Sequence, residues 1–244
     1  MADRLIDSRN NVLLIAAALL ALAIVVGGYL LGDGVRRARM ADRAVTVRGL
    51  AERNVTADLA TWTIAYSEQG TELGPVQAAV DQKRSAVRAF FKRHGFADAD
   101  LSDAGASVNQ YYDNNRGQNS VTVRQRIQLR TKDVMRARRA FARQADLIRS
   151  GVALEDGSGM VYSFTRLNAI KPEMIAEATR NARESARQFA RDSGTGVGGI
   201  RSATQGYFSI GARDGDVDGE GGSSAGDSPF QKVRVVTTVD FYLD

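Results

Sequence analysis

The sequence predicts an α+β fold: antiparallel or mixed sheets with packed helices, arranged in two strand–helix–hairpin halves and preceded by one N-terminal transmembrane helix. Three observations predict it. Residues 12–31 read VLLIAAALLALAIVVGGYLL and carry no charge. Several later segments alternate apolar and polar residues at period two, which gives a strand one dry and one wet face. Between them lie stretches whose apolar residues return every three to four positions, the spacing of a helix with one buried stripe.

The apolar run comes first. A helix rising about 1.5 Å per residue crosses a hydrocarbon core of about 30 Å in about 20 residues. A cleaved signal peptide needs a small-x-small site after its apolar region. The candidate, Ala21-Leu22-Ala23, lies inside the run with Ile24, Val25 and Val26 still to come, so an uncleaved signal anchor fits better. The expected organisation is a short flank at 1–11, the anchor at 12–31, a basic linker at 32–43 and one domain over 44–244. Arg36, Arg37, Arg39 and Arg43 follow the run, against Arg4 and Arg9 balanced by Asp3 and Asp7 before it. The positive-inside rule then places the trailing side in the cytoplasm.

The remaining chain is long enough for a real core. Strands are expected at 44–50 and 58–67, where Trp62, Ile64 and Tyr66 share a face, with a turn at Glu52-Arg53-Asn54. A helix opens at Thr71 or at Gly74-Pro75, where the missing N–H of proline costs nothing. It carries Leu73, Val76, Val80, Val87, Phe90 and Phe91 on one stripe and stops at Gly95, a residue suited to a left-handed cap. A hairpin follows, 101–113 and 120–131, turning at Asn114-Asn115-Arg116-Gly117. In its second strand Val121, Val123, Ile127 and Leu129 face one way with Gln125 interrupting, while Thr122, Arg124, Arg126, Gln128 and Arg130 face the other. One dry and one wet face means an antiparallel sheet.

A helix over 132–148 buries Val134, Phe141 and Ile148, with Asp133 as its cap. A strand at 160–167 leads to a helix opened by Pro172, with Glu173 and Glu177 in its first turns, the stripe Ile175, Ala178, Ala182, Ala186 and Phe189, and a stop at Gly194. The closing hairpin pairs 199–210 with 232–243, where Val233, Val235, Thr237, Val239, Phe241 and Leu243 alternate. Between them, 211–229 is rich in Gly, Asp and Ser, too polar to bury and expected to be a flexible loop. The order strand, helix, hairpin thus occurs twice, at 58–131 and 160–243.

Val45-Thr46-Val47-Arg48-Gly49 leading into the strand through Trp62, the run from Glu177 to Gly194 leading into Gly199-Ile200, and the closing strand 232–242 together resemble the bacterial SIMPL-domain family. The resemblance covers most of the chain beyond about residue 43, and its motifs are structural. It implies an exported cell-envelope protein of α+β fold that tends to form large oligomers, with no established enzymatic activity and no catalytic residues to carry over. It places the domain in the periplasm, held to the bacterial inner membrane by a single pass. The flanking charges argue for the opposite side. The uncleaved anchor and the long acidic loop depart from the common family form.

The chemistry-bearing residues are few. The absence of cysteine removes disulfides, thiolate nucleophiles and Cys metal sites. His94, the single histidine, stands at a helix end without a recognisable partner. No G-x-S-x-G elbow on a strand-to-helix turn appears, and Gly151 to Gly159 holds no Walker spacing with Lys and no G-x-G-x-x-G. Gly194-x-Gly196-x-Gly198-Gly199 follows a helix and precedes a strand, the reverse of a phosphate-cradling loop. Asp214, Asp216 and Asp218 with Gly219 match the opening of a calcium loop, but position twelve is Ala225 and the flanks are strands, so Ca2+ is the one cofactor to consider and its ligand set is incomplete. Arg124, Arg126 and Arg130 line one strand face, next to the arginine-rich segment Arg136 to Arg143. That face lacks the aromatic platforms of a single-strand nucleic-acid binder, so no nucleic-acid partner is expected. Arginine is enriched at subunit interfaces, and these three are candidates for one.

The expected function is that of a membrane-anchored, non-enzymatic structural, assembly or stress-related protein, a homo-oligomer joined to the membrane by its helix. Two alternatives stand beside it: a membrane-tethered module for an anionic or Ca2+-linked ligand, and an enzyme whose site has no sequence signature.

Overall fold

The computed structural model describes residues 19–34, 43–115, 117–214 and 225–244. Helix α1 covers 19–34. Sixteen residues rise about 24 Å, and no helix among the described residues is long and apolar enough to cross a membrane. The first part of the expected span, 12–18, lies outside the described residues.

The rest is α+β, as expected. The elements run β1 (Ala44–Thr56), β2 (Leu59–Gly70), α2 (Leu73–Arg93), β3 (Leu101–Asp113), β4 (Gln118–Thr131), α3 (Val134–Phe141), α4 (Ala145–Arg149), β5 (Gly159–Ser163), α5 (Leu167–Asp192), β6 (Val197–Ala212) and β7 (Phe230–Leu243). They form a four-stranded sheet, β3-β4-β2-β5, and a three-stranded sheet, β1-β7-β6. The chain divides into two compact units: one holds 51–177 and 207–236, the other the described residues up to Leu50 with 178–206 and 237–244.

In the first unit β2 is flanked antiparallel by β4 and β5, with Trp62 opposite Leu129 on one side and Met160 on the other. Trp62, Ile64, Tyr66, Ile127 and Leu129 point into the core, where α2 brings Val80, Val87, Phe90 and Phe91. Trp62 makes edge contacts with Phe90, Phe91 and Phe141 at 5.8, 5.1 and 5.2 Å between ring centres. Gln125 does not interrupt this core; its side chain accepts the Tyr66 hydroxyl at 3.2 Å. Burial, with smaller contributions from nearby charges, pushes the Tyr66 phenol up to about 12. Gly95 has φ +83°, as the end of α2 requires.

In the other unit the stripe of α5 packs on strands β1 and β7: Ala182 and Ala186 meet Val45, Val239 and Phe241. The approach is closest at Gly49, where an added Cβ would lie 1.9 Å from the Ala178 carbonyl oxygen. Leu50 N–H donates to Asn181 Oδ1 at 3.0 Å. The Asp240 carboxylate accepts from the Thr46 and Ser202 hydroxyls at 2.6 and 2.5 Å and is held below the usual range by them.

Several expectations need correction. Glu52-Arg53-Asn54 is strand, not turn. Its polar side chains are taken up sideways, Arg53 by Glu173 at 2.7 Å and Glu52 by Lys232 and Arg234 at 3.9 and 3.7 Å. The strand ends at Thr56 instead, and beyond it the Asp58 carboxylate holds the distant segment Thr165-Arg166. Burial raises the Asp58 pKa, but the Thr165 and Arg166 bonds outweigh it and leave the group lowered. The helix expected over 132–148 is two pieces, α3 and α4, and Ile148 is exposed while Ala137, Ala140 and Leu147 are buried. Helix α5 begins at Leu167, so Pro172 lies inside it and Glu173 and Glu177 fall beyond its first turn. Its buried stripe is Met174, Ala178, Ala182, Ala186 and Ala190, with Phe189 exposed.

The first half keeps its own strands together and the second does not. In the first, the hairpin β3–β4 takes β2 beside it; in the second, β6–β7 takes β1, while β5 is the outer strand beside β2. Hydrogen bonds at both ends make β1 and β7 antiparallel, Leu243 N–H to Arg43 O at 3.0 Å and Ala57 N–H to Pro229 O at 2.8 Å. The expected loop 211–229 lies outside the described residues over 215–224. Its end is tied down: Pro229 is buried, and Tyr162 N–H donates to Gly226 O at 2.9 Å.

Candidate functional site

The face of the four-stranded sheet opposite its core carries the arginines. Register places Ser67 opposite Arg124 and Ala65 opposite Arg126 on β2, and Ser107 opposite Arg124 and Gly105 opposite Arg126 on β3. The register shifts between Asp103 and Gly105, and Gly105 takes φ +135°, a bulge that only glycine fits readily. Small residues on both flanks leave room above the strand. A groove of about 290 Å³ is lined by Gly105, Ala106, Ser107, Arg124 and Arg126. A second of about 530 Å³ is lined by Arg124, Arg126, Leu154, Glu155 and Asp156.

Arg124 is held in place. Its Nε donates to Glu155 Oε2 at 2.8 Å, and the Ser67 hydroxyl donates to the same carboxylate. These two donors, the Ser67 hydroxyl first, hold Glu155 below the usual carboxylate range. The loop that carries Glu155 is pinned to β2: Glu155 N–H donates to Ala65 O at 2.9 Å, and the Ser158 hydroxyl bonds both the N–H and the carbonyl of Ala65. Lys83 donates to Ser67 O at 3.0 Å and pairs with Glu68. A carboxylate so stabilised is a poor proton acceptor; Glu155 acts as a clamp. Arg126 and Arg130 are exposed and make no hydrogen bond or ion pair among the described residues.

The three arginines thus share one face, but only Arg124 and Arg126 share the grooves. Glu155 and Ser67, which position Arg124, had no signal in the sequence, since their meeting depends on a loop returning to β2. His94 caps α2: its Nδ1 lies 2.9 Å from Phe90 O, and its ring lies 4.3 Å from the Phe90 ring. Of the calcium candidates, Asp214 is an exposed turn residue after β6, and Asp216 and Asp218 lie outside the described residues. No group of three or more acidic, His or Cys side chains suited to a metal occurs among the described residues.

A second feature belongs to the same sheet. β3 is an outer strand, and from Ser102 to Tyr112 every residue is exposed. Among the described residues no strand lies beside its outward row of backbone N–H and C=O groups.

The fold is α+β, with the exposed outer strand β3 and an arginine-lined groove on the same sheet. Residues 45–241 match the family model for SIMPL, a protein of unknown function (DUF541), and the chain belongs to that family. No curated protein matches it.

Proposed function

We propose that this SIMPL-domain protein is a membrane-anchored component of the bacterial envelope that works by assembling with copies of itself, in a non-enzymatic structural or stress-related role. The observation that carries the assembly is β3: beyond the bulge at Asp103 and Gly105, residues 106–112 of this outer strand are exposed on both faces and carry no charge and no Pro. Natural sheets cover or charge such edges unless something pairs with them. The charge-free run 12–31 supports the anchor, and family membership supports a periplasmic domain. The arginines after the run favour the other side by the positive-inside rule, so the topology has its own test: protease added to spheroplasts digests a periplasmic domain and spares a cytoplasmic one.

The assembly test is the absolute mass of the full chain in mild detergent, by light scattering on a sizing column. A defined oligomer is expected; a monomer across the accessible concentration range overturns the reading.

The grooves at Arg124 and Arg126 favour a second reading, a module for an anionic ligand. Arg126 is open to a carboxylate or phosphate, and Arg124 is oriented by Glu155. Calorimetric titration with pyrophosphate tests it: saturable heat lost in Arg126→Gln supports it, and no heat in the parent chain sinks it.

A further inference from the structure

The end of the four-stranded sheet where β3 turns into β4 carries a concave surface of different chemistry from the arginine face. One groove of about 250 Å³ is lined by Gln69, Thr71, Asp113, Gln118 and Ser120, among others. A second of about 260 Å³ shares Gln69, Gly70 and Thr71 with it and adds the apolar residues Pro75, Val76 and Ala79. Register places Asp113 opposite Gln118 and Tyr111 opposite Ser120. Directly opposed residues, and residues two apart on a strand, share a face, so these four stand together. Gln69 joins them from β2, its Nε2 donating to Ser120 Oγ at 2.9 Å. Tyr111 is 52% exposed.

Composition narrows the ligand. Among the described residues no Lys or Arg lines either groove, so a phosphate or carboxylate would find no counter-charge there. Asp113 is the one acid of the first groove, Glu68 in the second is paired with Lys83, and no group of three or more metal-ligating side chains occurs among the described residues. Amides, hydroxyls and a carboxylate remain. A carboxamide presents a donor and an acceptor side by side, the match to two neighbouring hydroxyls on a sugar ring. The Gln118 carboxamide and the Thr71 hydroxyl make no hydrogen bond among the described residues. Ser120 Oγ accepts from Gln69 and keeps its own hydrogen to donate. Asp113 is steadied by Asn115 N–H, which donates to its Oδ1 at 2.9 Å. Tyr111 adds a flat apolar ring with a polar tip, a surface on which the C–H side of a pyranose packs.

We propose that this end of the sheet binds an uncharged sugar chain, with one ring seated among Gln69, Asp113, Gln118 and Ser120 against Tyr111 and the next along the second groove. The inference goes beyond the assembly and the anion site proposed above and depends on neither. Hydrogen bonds to a sugar replace hydrogen bonds to water, with little net gain from each. Affinity therefore rests on the tyrosine contact and on one chain engaging both grooves, so an oligosaccharide binds more tightly than its monomer.

The test is calorimetric titration of the full chain, held in a detergent without a sugar headgroup, with cellotetraose, maltotetraose and the N-acetylglucosamine tetramer. Saturable heat is expected with at least one of them. Gln118→Ala and Tyr111→Ala are each expected to weaken binding about tenfold. Tyr111→Phe, which keeps the ring, is expected to bind as the parent does. Both positions are exposed, and each variant is first checked for the parent's thermal midpoint. Arg126→Gln is expected to leave the sugar heat unchanged, which separates this site from the anion groove. No heat with any of the three sugars overturns the inference. Heat that survives both alanine substitutions places the sugar elsewhere on the chain and overturns it too. Heat with Ca2+ alone, lost in Asp113→Asn, from a chain that takes no sugar marks a cation site and overturns it as well.

Discussion

Trp62 shows how much one side chain holds. It lies fully buried among three phenylalanine rings, and truncating such a residue costs about 3–5 kcal/mol. Trp62→Ala is therefore expected to lower the urea midpoint sharply. Its indole Nε1 is buried without a hydrogen-bond partner, so Trp62→Phe, which removes that orphan donor, is expected to cost clearly less; equal losses would count against this account. Gly49 is the opposite case, a position where adding matter is harmful. An alanine there meets the Ala178 carbonyl, and overpacking of this kind costs about 1–3 kcal/mol. Gly49→Ala is expected to shift the thermal midpoint down, whereas an unchanged midpoint would mean that helix and strand part at no cost. Glu155 gives a pH dependence with a definite sign. Its folded pKa lies below the ordinary 4.5 because of the Ser67 and Arg124 hydrogen bonds. The stability it contributes is present above about that ordinary value and is lost as pH falls through the folded one. Glu155→Gln is expected to be less stable than the parent at pH 7, with the gap closing as pH falls below the ordinary 4.5, measured by urea midpoints.

At the scale of elements, locally determined features were legible and those needing a distant partner were not. The Asp133 cap was readable, because the Oδ1 that accepts Arg136 N–H at 3.0 Å lies only three residues away. Asp133→Ala is expected to cost about 1 kcal/mol, and a full loss of α3 signal or none at all would both be wrong. The Gly95 and Gly194 stops were readable for the same reason, and both have positive φ. β7 was readable because its buried alternation runs unbroken from Gln231 to Phe241. The turn at Glu52-Arg53-Asn54 was misplaced because the ion partners that keep these residues in a strand, Glu173, Lys232 and Arg234, are far away in sequence. The α3–α4 break was hidden because alanines, which any helix tolerates, form the buried face. The arginine face itself followed from simple alternation, while its grooves came from Gly105 and the 154–156 loop, which alternation does not place.

At the scale of the molecule, the repeat seen in the sequence is present as element order, yet the strands are dealt across it. β5 opens the second half and lies beside β2 of the first; β1 precedes the first half and lies beside β7 of the second. Periodicity determines which face a strand buries, not which neighbour it takes, so this exchange was beyond the sequence pattern. Arginine belongs at this scale as well. If the Arg124–Arg126 face takes part in joining copies, Arg124→Glu with Arg126→Glu is expected to reduce the mass of the assembly by light scattering. A mass unchanged by this reversal would confine the contact to the strand edges.

The position of β7 between β1 and β6 has a consequence for how the chain is made. Among the strands of the described residues β1 is synthesised first, and the neighbour it needs comes last. Ribosomes add about 5–20 residues per second, so β1 waits on the order of ten seconds for its partner. Throughout that interval the backbone groups of β1 lack the strand they pair with in the fold, and unpaired strand edges of this kind are aggregation-prone. A holdase that shields β1 until β7 has emerged would do more for yield than one acting later.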